Sequence, residues 1–320
     1  MRALALLAAL VFGSVMGCGA ARAADYPNRA VSIIVGQAAG GSTDLLARLV
    51  GHGLSERWGQ PAIVQNRPGA NGMVAAGLVA HAPADGFTLL WIGNPHTIVL
   101  PEMAMTYDPV KSFAPITEIA SSPDILMINP STPVDSLQGF VALAKTQPHR
   151  MNFGTSGPGT LQSLAMKLFL KQAGLDLVEV PFNGGAPQLI ALQGGEVQIV
   201  LGSFSGGLPM VKARMLKALA VSSGSASPKL PGVPTIAEGA GLPGFRTEEW
   251  FGAVAPAGTP DAIIGKLHDD IVAVLQLPDV QKRLDDMGFT RVGNSPAEFG
   301  RTIADDTAKW SAVLASLGSQ

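Results

Sequence analysis

From Tyr26-Pro27 onward the chain alternates short β-rich apolar runs with stretches of helical periodicity, and this alternation limits it to α/β architectures. "AVSIIVG" (30–36), "PAIVQN" (61–66) and "DGFTLLWIGN" (85–94) read as the first three strands. Further strands are expected at "ILMIN" (125–129), "MNFGT" (151–155), "DLVEVPF" (176–182), "VQIVLGS" (197–203), "LKALAVS" (216–222) and "WFGAVAP" (250–256). Apolar spacing predicts helices over 44–57, 73–82, 136–146, 160–173, 186–194, 206–214, 260–276, 278–287 and 296–316. No repeat or low-complexity linker divides the chain. Two extended, proline-flanked segments, "ITEIASSPDILMINP" (116–130) and "FRTEEWFGAVAPAGTP" (245–260), are candidate hinges. A chain that leaves one α/β lobe, builds a second and returns has the plan of a bilobal clamshell.

The 320 residues suffice for two such lobes, and at 47% hydrophobic and 14% charged they can bury a sizeable core. The net charge of −2 is spread along the chain, which excludes the basic face of a nucleic-acid binder. Five histidines and one cysteine, unclustered, argue against a metal site, and no cofactor is expected. The start reads as a leader: Arg2, an apolar run over 3–16, then the Ala21-Arg22-Ala23 cleavage pattern, with residues 1–23 as signal peptide and a mature start at Ala24 or Asp25. No later run of about 20 uninterrupted apolar residues offers a membrane span. Cys18 in "VMGC" loosely resembles a lipobox, but the Ala-x-Ala site is better formed. On that reading the mature chain is an exported, soluble, cysteine-free protein.

The chemistry lies in loops that open helices. In "GQAAGGSTDLLARLV" (36–50), Gly40 and Gly41 permit close approach, and Ser42 or Thr43 is positioned to cap the helix. The remaining N–H groups and the helix dipole favour an anion. Asp44 falls in the first turn and forms an i,i+4 pair with Arg48; a first-turn acid would itself repel an anion. The loop has no lysine for a phosphate and no GxGxxG, so a carboxylate suits it better than a nucleotide. "NFGTSGPGTLQSLAMKLF" (152–169) repeats the device in the other half with Thr155, Ser156, Gly157 and Thr160. "VPFNGGAPQLI" (180–190) adds Asn183, Gly184, Gly185 and Ala186. Asn94 and His96 in "GNPHT" end a strand and are further candidate contacts, a satisfied loop histidine being the competing reading of His96. The four tryptophans and the stripe Met166, Phe169, Leu170 read as packing residues. GxSxG, HExxH and SxxK are absent from the mature chain, no nucleophile–base pair can be nominated, and the expectation is a protein that is not an enzyme.

Eight motifs then fall in one order: "AGGSTDLLAR", "NRPGANG", "PADGFTLL", "NFGTSGPGT", "VPFNGGAPQ", "LKALAVS", "PGVPTIAEGAGLPGF" and "WFGAVAPAGTP". Through them the whole mature chain resembles the exported substrate-binding proteins of tripartite tricarboxylate transporters, the Bug-type receptors. The resemblance implies a two-lobed periplasmic-binding fold (type II, Venus flytrap) with two hinge crossovers. It places lobe 1 at 24–122 plus 248–320 and lobe 2 at 123–247. It also implies a periplasmic monomer that captures a small organic acid through loop backbone and ordered water, then delivers it to the membrane subunits of the transporter. A signalling receptor of the same fold is the runner-up.

The chain departs from the family at Gly36-Gln37, where a Pro-Phe pair is usual, and at Phe182-Asn183, where Tyr-Lys is usual. Gln198 stands where Asp is common. With Gln37 and Asn183 as neutral donors, the expected ligand is less acidic or more polar than a simple dicarboxylate.

Overall fold

The computed structural model describes residues 26–100, 105–157 and 159–317; the leader, Cys18 and the cleavage site lie outside them. The chain opens with β1 (Val31–Val35), α1 (Ser42–Trp58), β2 (Ala62–Asn66), α2 (Met73–Ala80) and β3 (Thr88–Gly93). The long β4 (Phe113–Ile128) leads to α3 (Leu137–Lys145), β5 (Asn152–Thr155), α4 (Leu161–Ala173), β6 (Val178–Pro181) and α5 (Gly185–Gly194). β7 (Ile199–Ser203), α6 (Phe204–Lys212), β8 (Lys217–Val221) and the short α7 (Ile236–Ala240) follow. β9 (Glu248–Pro256), α8 (Asp261–Leu275), α9 (Pro278–Asp286), β10 (Thr290–Arg291) and α10 (Pro296–Leu317) complete it.

The strands form two sheets that share β4. Its first part pairs antiparallel with β9, from Phe113↔Pro256 to Pro123↔Glu248, in a sheet of order β2-β1-β3-β9-β4 with β10 on the far edge. Its last part, Asp124 to Ile128, pairs antiparallel with β7 and, on its other side, with β8. That second sheet continues from β7 to β5 and β6. Helices cover both faces of each sheet, as strands apolar on both sides require. In the first sheet, Leu46, Val50 and Leu54 of α1 pack with Ile271 and Val274 of α8 on one face, while Ala75 and Val79 of α2 pack with Phe299 of α10 on the other. In the second, Leu164 and Phe169 of α4 lie opposite Leu189 and Leu192 of α5.

Strand direction decides where the loops go. β1, β2, β3 and β4 run the same way, since β9 is antiparallel to both β3 and β4. β4 exits the first sheet toward the second, so the carboxyl ends of β1–β3 also point there. β5, β6 and β7 oppose β4, so their carboxyl ends point back toward the first sheet. The loops after β1 and β3 and those after β5 and β6 therefore face one another across the crossover, on the side where open α/β sheets present ligands.

Candidate ligand cleft

In the loop after β1, the expected side-chain cap is absent. The N-cap is Gly41, extended at φ −75° and ψ 166°, and neither Ser42 nor Thr43 caps the helix. Thr43 is buried, whereas Gly40 and Gly41 are exposed. Without a cap, more N–H groups at the start of α1 are left for an anion, because a capping hydroxyl would itself occupy one. Gly40, at φ +86°, bends the chain so that its own N–H donates to Asp44 Oδ2 at 2.8 Å. Asp44 therefore points inward. Its Oδ2 accepts from Arg48 Nε at 3.0 Å, and its Oδ1 accepts from Asn66 Nδ2 at 2.9 Å. Burial alone would raise its pKa; the bonds from Arg48, Gly40 and Asn66 outweigh burial and hold the carboxyl below its ordinary range. The acid that looked set to repel an anion is thus the paired strut of the loop. Asn66 adds a bond to the carbonyl of Gln37 at 3.1 Å, tying β2 to the same turn. The Gln37 side chain packs beside Gly72, and its Oε1 is buried with no partner among the described residues.

Across the crossover, α4 starts at the N-cap Thr160, whose hydroxyl accepts from Ser163 N–H at 3.3 Å and donates to the Gly157 carbonyl at 2.9 Å. Ser156 Oγ donates to Thr160 Oγ1 at 3.3 Å. Thr155 is fully buried and reaches Glu179 Oε1 at 3.0 Å, the same oxygen that takes Ser163 Oγ. It roots the loop in β6 rather than lining the cleft. The Phe182 N–H donates to the Thr155 carbonyl at 2.9 Å, which sets the third loop beside the second. There α5 begins at the N-cap Gly184, φ +106°, again with no side-chain cap, and Asn183, Gly185 and Ala186 are exposed.

Asn94 and His96 turn away from the cleft. Asn94 Oδ1 accepts the Trp250 N–H at 2.9 Å, and its Nδ2 donates to the Glu248 carbonyl and to Asp306. His96 is buried, bonded to the Pro109 carbonyl at 2.8 Å, and ringed by Tyr107 and Phe113. Burial lowers its pKa to about 4, so it is a neutral packing residue. Gln198 is likewise structural, accepting the Asn152 N–H at 2.7 Å. The sequence reading missed Asn66, Asp306 and three residues at the crossover: Asp124, Gln162 and Glu249. Acids inside otherwise apolar runs, "SPDILM" and "TEEWFG", were the available signal for the last group.

Among the described residues, no cluster of three or more His, Cys, Asp or Glu is arranged to hold a metal ion. No described helix is long and apolar enough to cross a membrane.

Comparison with known proteins agrees with this geometry. The profile of the family described as "Tripartite tricarboxylate transporter family receptor" matches residues 46–319. Protein BugT of Bordetella pertussis is 33% identical over 314 residues, spanning 97% of this chain and 96% of that protein. A Rhodopseudomonas palustris protein solved with adipate superposes with a TM-score of 0.79 at 34% identity, covering 92% of this chain and 99% of that one. MatC from the same species, solved with bound malate, gives 0.75 at 31% identity, covering 90% and 100%. The fold is the two-lobed periplasmic-binding fold, and the chain belongs to the tripartite tricarboxylate transporter receptor family.

Proposed function

We propose that the protein is a periplasmic solute-binding protein, without catalysis, that captures a small carboxylate between its lobes and delivers it to a tripartite tricarboxylate-type transporter. One observation supports this reading: the helix starts at Gly41 and Gly184, which no side chain caps, open loops that strand direction turns toward one another across the crossover together with that of Thr160, and no lysine or arginine falls in residues 36–41, 156–160 or 182–185. The contact set is Gln37, Gly40, Gly41, Ser42 and Thr43 on one side, mostly through backbone. On the other side it is Ser156, Gly157, Thr160, Asn183, Gly184, Gly185 and Ala186. Asp44, Asn94, His96 and Thr155 hold these loops in place. The lobes divide at 122/123 and 247/248, the protein acts as a monomer, and residues 1–23 are removed on export.

Each buried hydrogen bond to a charged acceptor contributes about 1.5–3 kcal/mol. Three or four of them, less the cost of association, correspond to roughly micromolar affinity, about −8 kcal/mol. Ligand-stripped protein melted against a panel of small carboxylates tests the proposal. A ligand at 100 times its Kd stabilises the folded state by about 2.7 kcal/mol, a clear upward shift in midpoint. A panel without any shift would rule the reading out.

A further inference from the structure

Where β4 and β9 leave the first sheet together, two carboxyl groups meet on the cleft floor. Asp124 and Glu249 both accept from Gln162 Nε2 on the first turn of α4, Asp124 Oδ1 at 3.1 Å. Asp124 is 0% exposed, and its second oxygen, Oδ2, has no partner among the described residues. Thr247, two residues before Glu249 and so on the same face of the extended chain, is 1% exposed, and its Oγ1 is also without a partner there. The two sites adjoin: Ser222 Oγ accepts the Asp124 N–H at 2.8 Å and donates to the Thr247 carbonyl. Glu249 is half-buried, the most exposed of the three residues.

Among the described residues, no cation balances this pair. On β9, Glu248 is paired with Arg246 at 3.0 Å; on α4, Lys167 is paired with Glu179 at 2.7 Å. On β4, Glu118 lies six residues earlier and bonds to Asn294. β7 and the residue that follows β8 place Ser203 and Ser222 beside Asp124. Two carboxyls so placed disfavour being charged together. Burial, then the charge of Glu249, pushes Asp124 well above the usual range, and burial raises Glu249 to about 7 against the opposing Gln162 bond.

We propose that Asp124, Glu249 and Thr247 form a subsite for an ammonium group, so that the cargo is an amino-substituted carboxylic acid. The inference rests on the receptor reading above and narrows its substrate class. The ammonium brings the missing positive charge and three donors, matching Asp124 Oδ2, the Glu249 carboxylate and Thr247 Oγ1. Gln162 is two residues past Thr160, so the side chain that joins the two carboxyls belongs to the same first turn whose N–H groups open α4. A carboxylate at that helix start and an ammonium at the carboxyl pair would be the two ends of one amino acid. As the zwitterion binds, its positive charge favours the ionised form of the pair, and a proton passes to solvent. An unsubstituted diacid leaves the pair protonated and its polar atoms unmatched.

Matched probes test this by titration calorimetry on the full protein: succinate against aspartate, glutarate against glutamate, and adipate against 2-aminoadipate. At least one amino member is expected to bind tenfold or more tightly than its partner. Its heat at pH 6.5 is expected to vary with buffer ionisation enthalpy, reporting proton release. Glu249→Gln and Asp124→Asn should each reduce the preference to about twofold; if Asp124→Asn does not fold, Glu249→Gln carries the test. Unsubstituted acids that bind as well as their amino partners, or a preference that survives Glu249→Gln, overturn the subsite and leave the receptor reading standing. Absence of binding by every probe overturns both.

Discussion

Asp44 and Glu249 are both acids beside the cleft, and their surroundings give them opposite characters. Asp44 has four hydrogen bonds or ion-pair contacts from Arg48, Asn66 and Gly40. Asp44→Ala removes the acceptor of the Gly40 N–H, one acceptor of the Asn66 amide and the carboxylate that pairs with Arg48, and chemical denaturation is expected to show a loss of about 2–3 kcal/mol. Glu249 has no cation partner among the described residues, and burial raises its pKa to about 7. Because the folded state holds that proton more tightly than the unfolded chain, Glu249 favours folding most below about pH 4. Its contribution falls as pH rises and is lost above about pH 7. Glu249→Gln should therefore match the parent near pH 4 and exceed it by about 2 kcal/mol at pH 8 in denaturant midpoints. His96 slopes the other way: its lowered pKa costs stability as pH falls from about 6.5 toward 4.

Among the elements, most strand and helix positions read from periodicity lie within a few residues of those observed, but β4, expected as a strand only over 125–129, runs over Phe113–Ile128, because the extended segment read as a hinge pairs along its length with β9. α1 was expected over 44–57 and spans Ser42–Trp58; its far end closes on Gly59 in the left-handed region at φ +61°. Its packing turns on a residue periodicity does not rank: a Cβ at Gly53 would lie 2.6 Å from Val274 of α8. Gly53→Ala is expected to separate α1 from α8 and cost about 1–3 kcal/mol in thermal unfolding, against the gain in helix propensity that alanine brings elsewhere. α7 and β10 went unread, the first too short for a period and the second a two-residue edge pairing. α10 was expected as one helix, but not that it serves both sheets. Phe299 and Ile303 pack on the first and Trp310 and Val313 on the second.

For the whole molecule, the two lobes touch where Leu100, in the loop that follows β3, sits against Gly159 beside the start of α4. A Cβ on Gly159 would come within 2.8 Å of Leu100, and the residue's φ is +72°. Gly159→Ala is expected to hold the lobes apart, weakening ligand binding about tenfold while the fold persists. Small-angle scattering should then show a smaller ligand-induced compaction than in the parent. The sequence alone determined the α/β class, the order of the longer elements, the glycine loops and the family, because these depend on local spacing and turn chemistry. Only the tertiary structure decided that Asp44, Asn94, His96 and Thr155 face inward. It alone brought Asp124, Gln162, Thr247 and Glu249 together, since they lie up to 125 residues apart (249 − 124) and meet because β4 and β9 cross between the sheets side by side. A contact between distant segments leaves no period in either of them, so strand topology had to supply it.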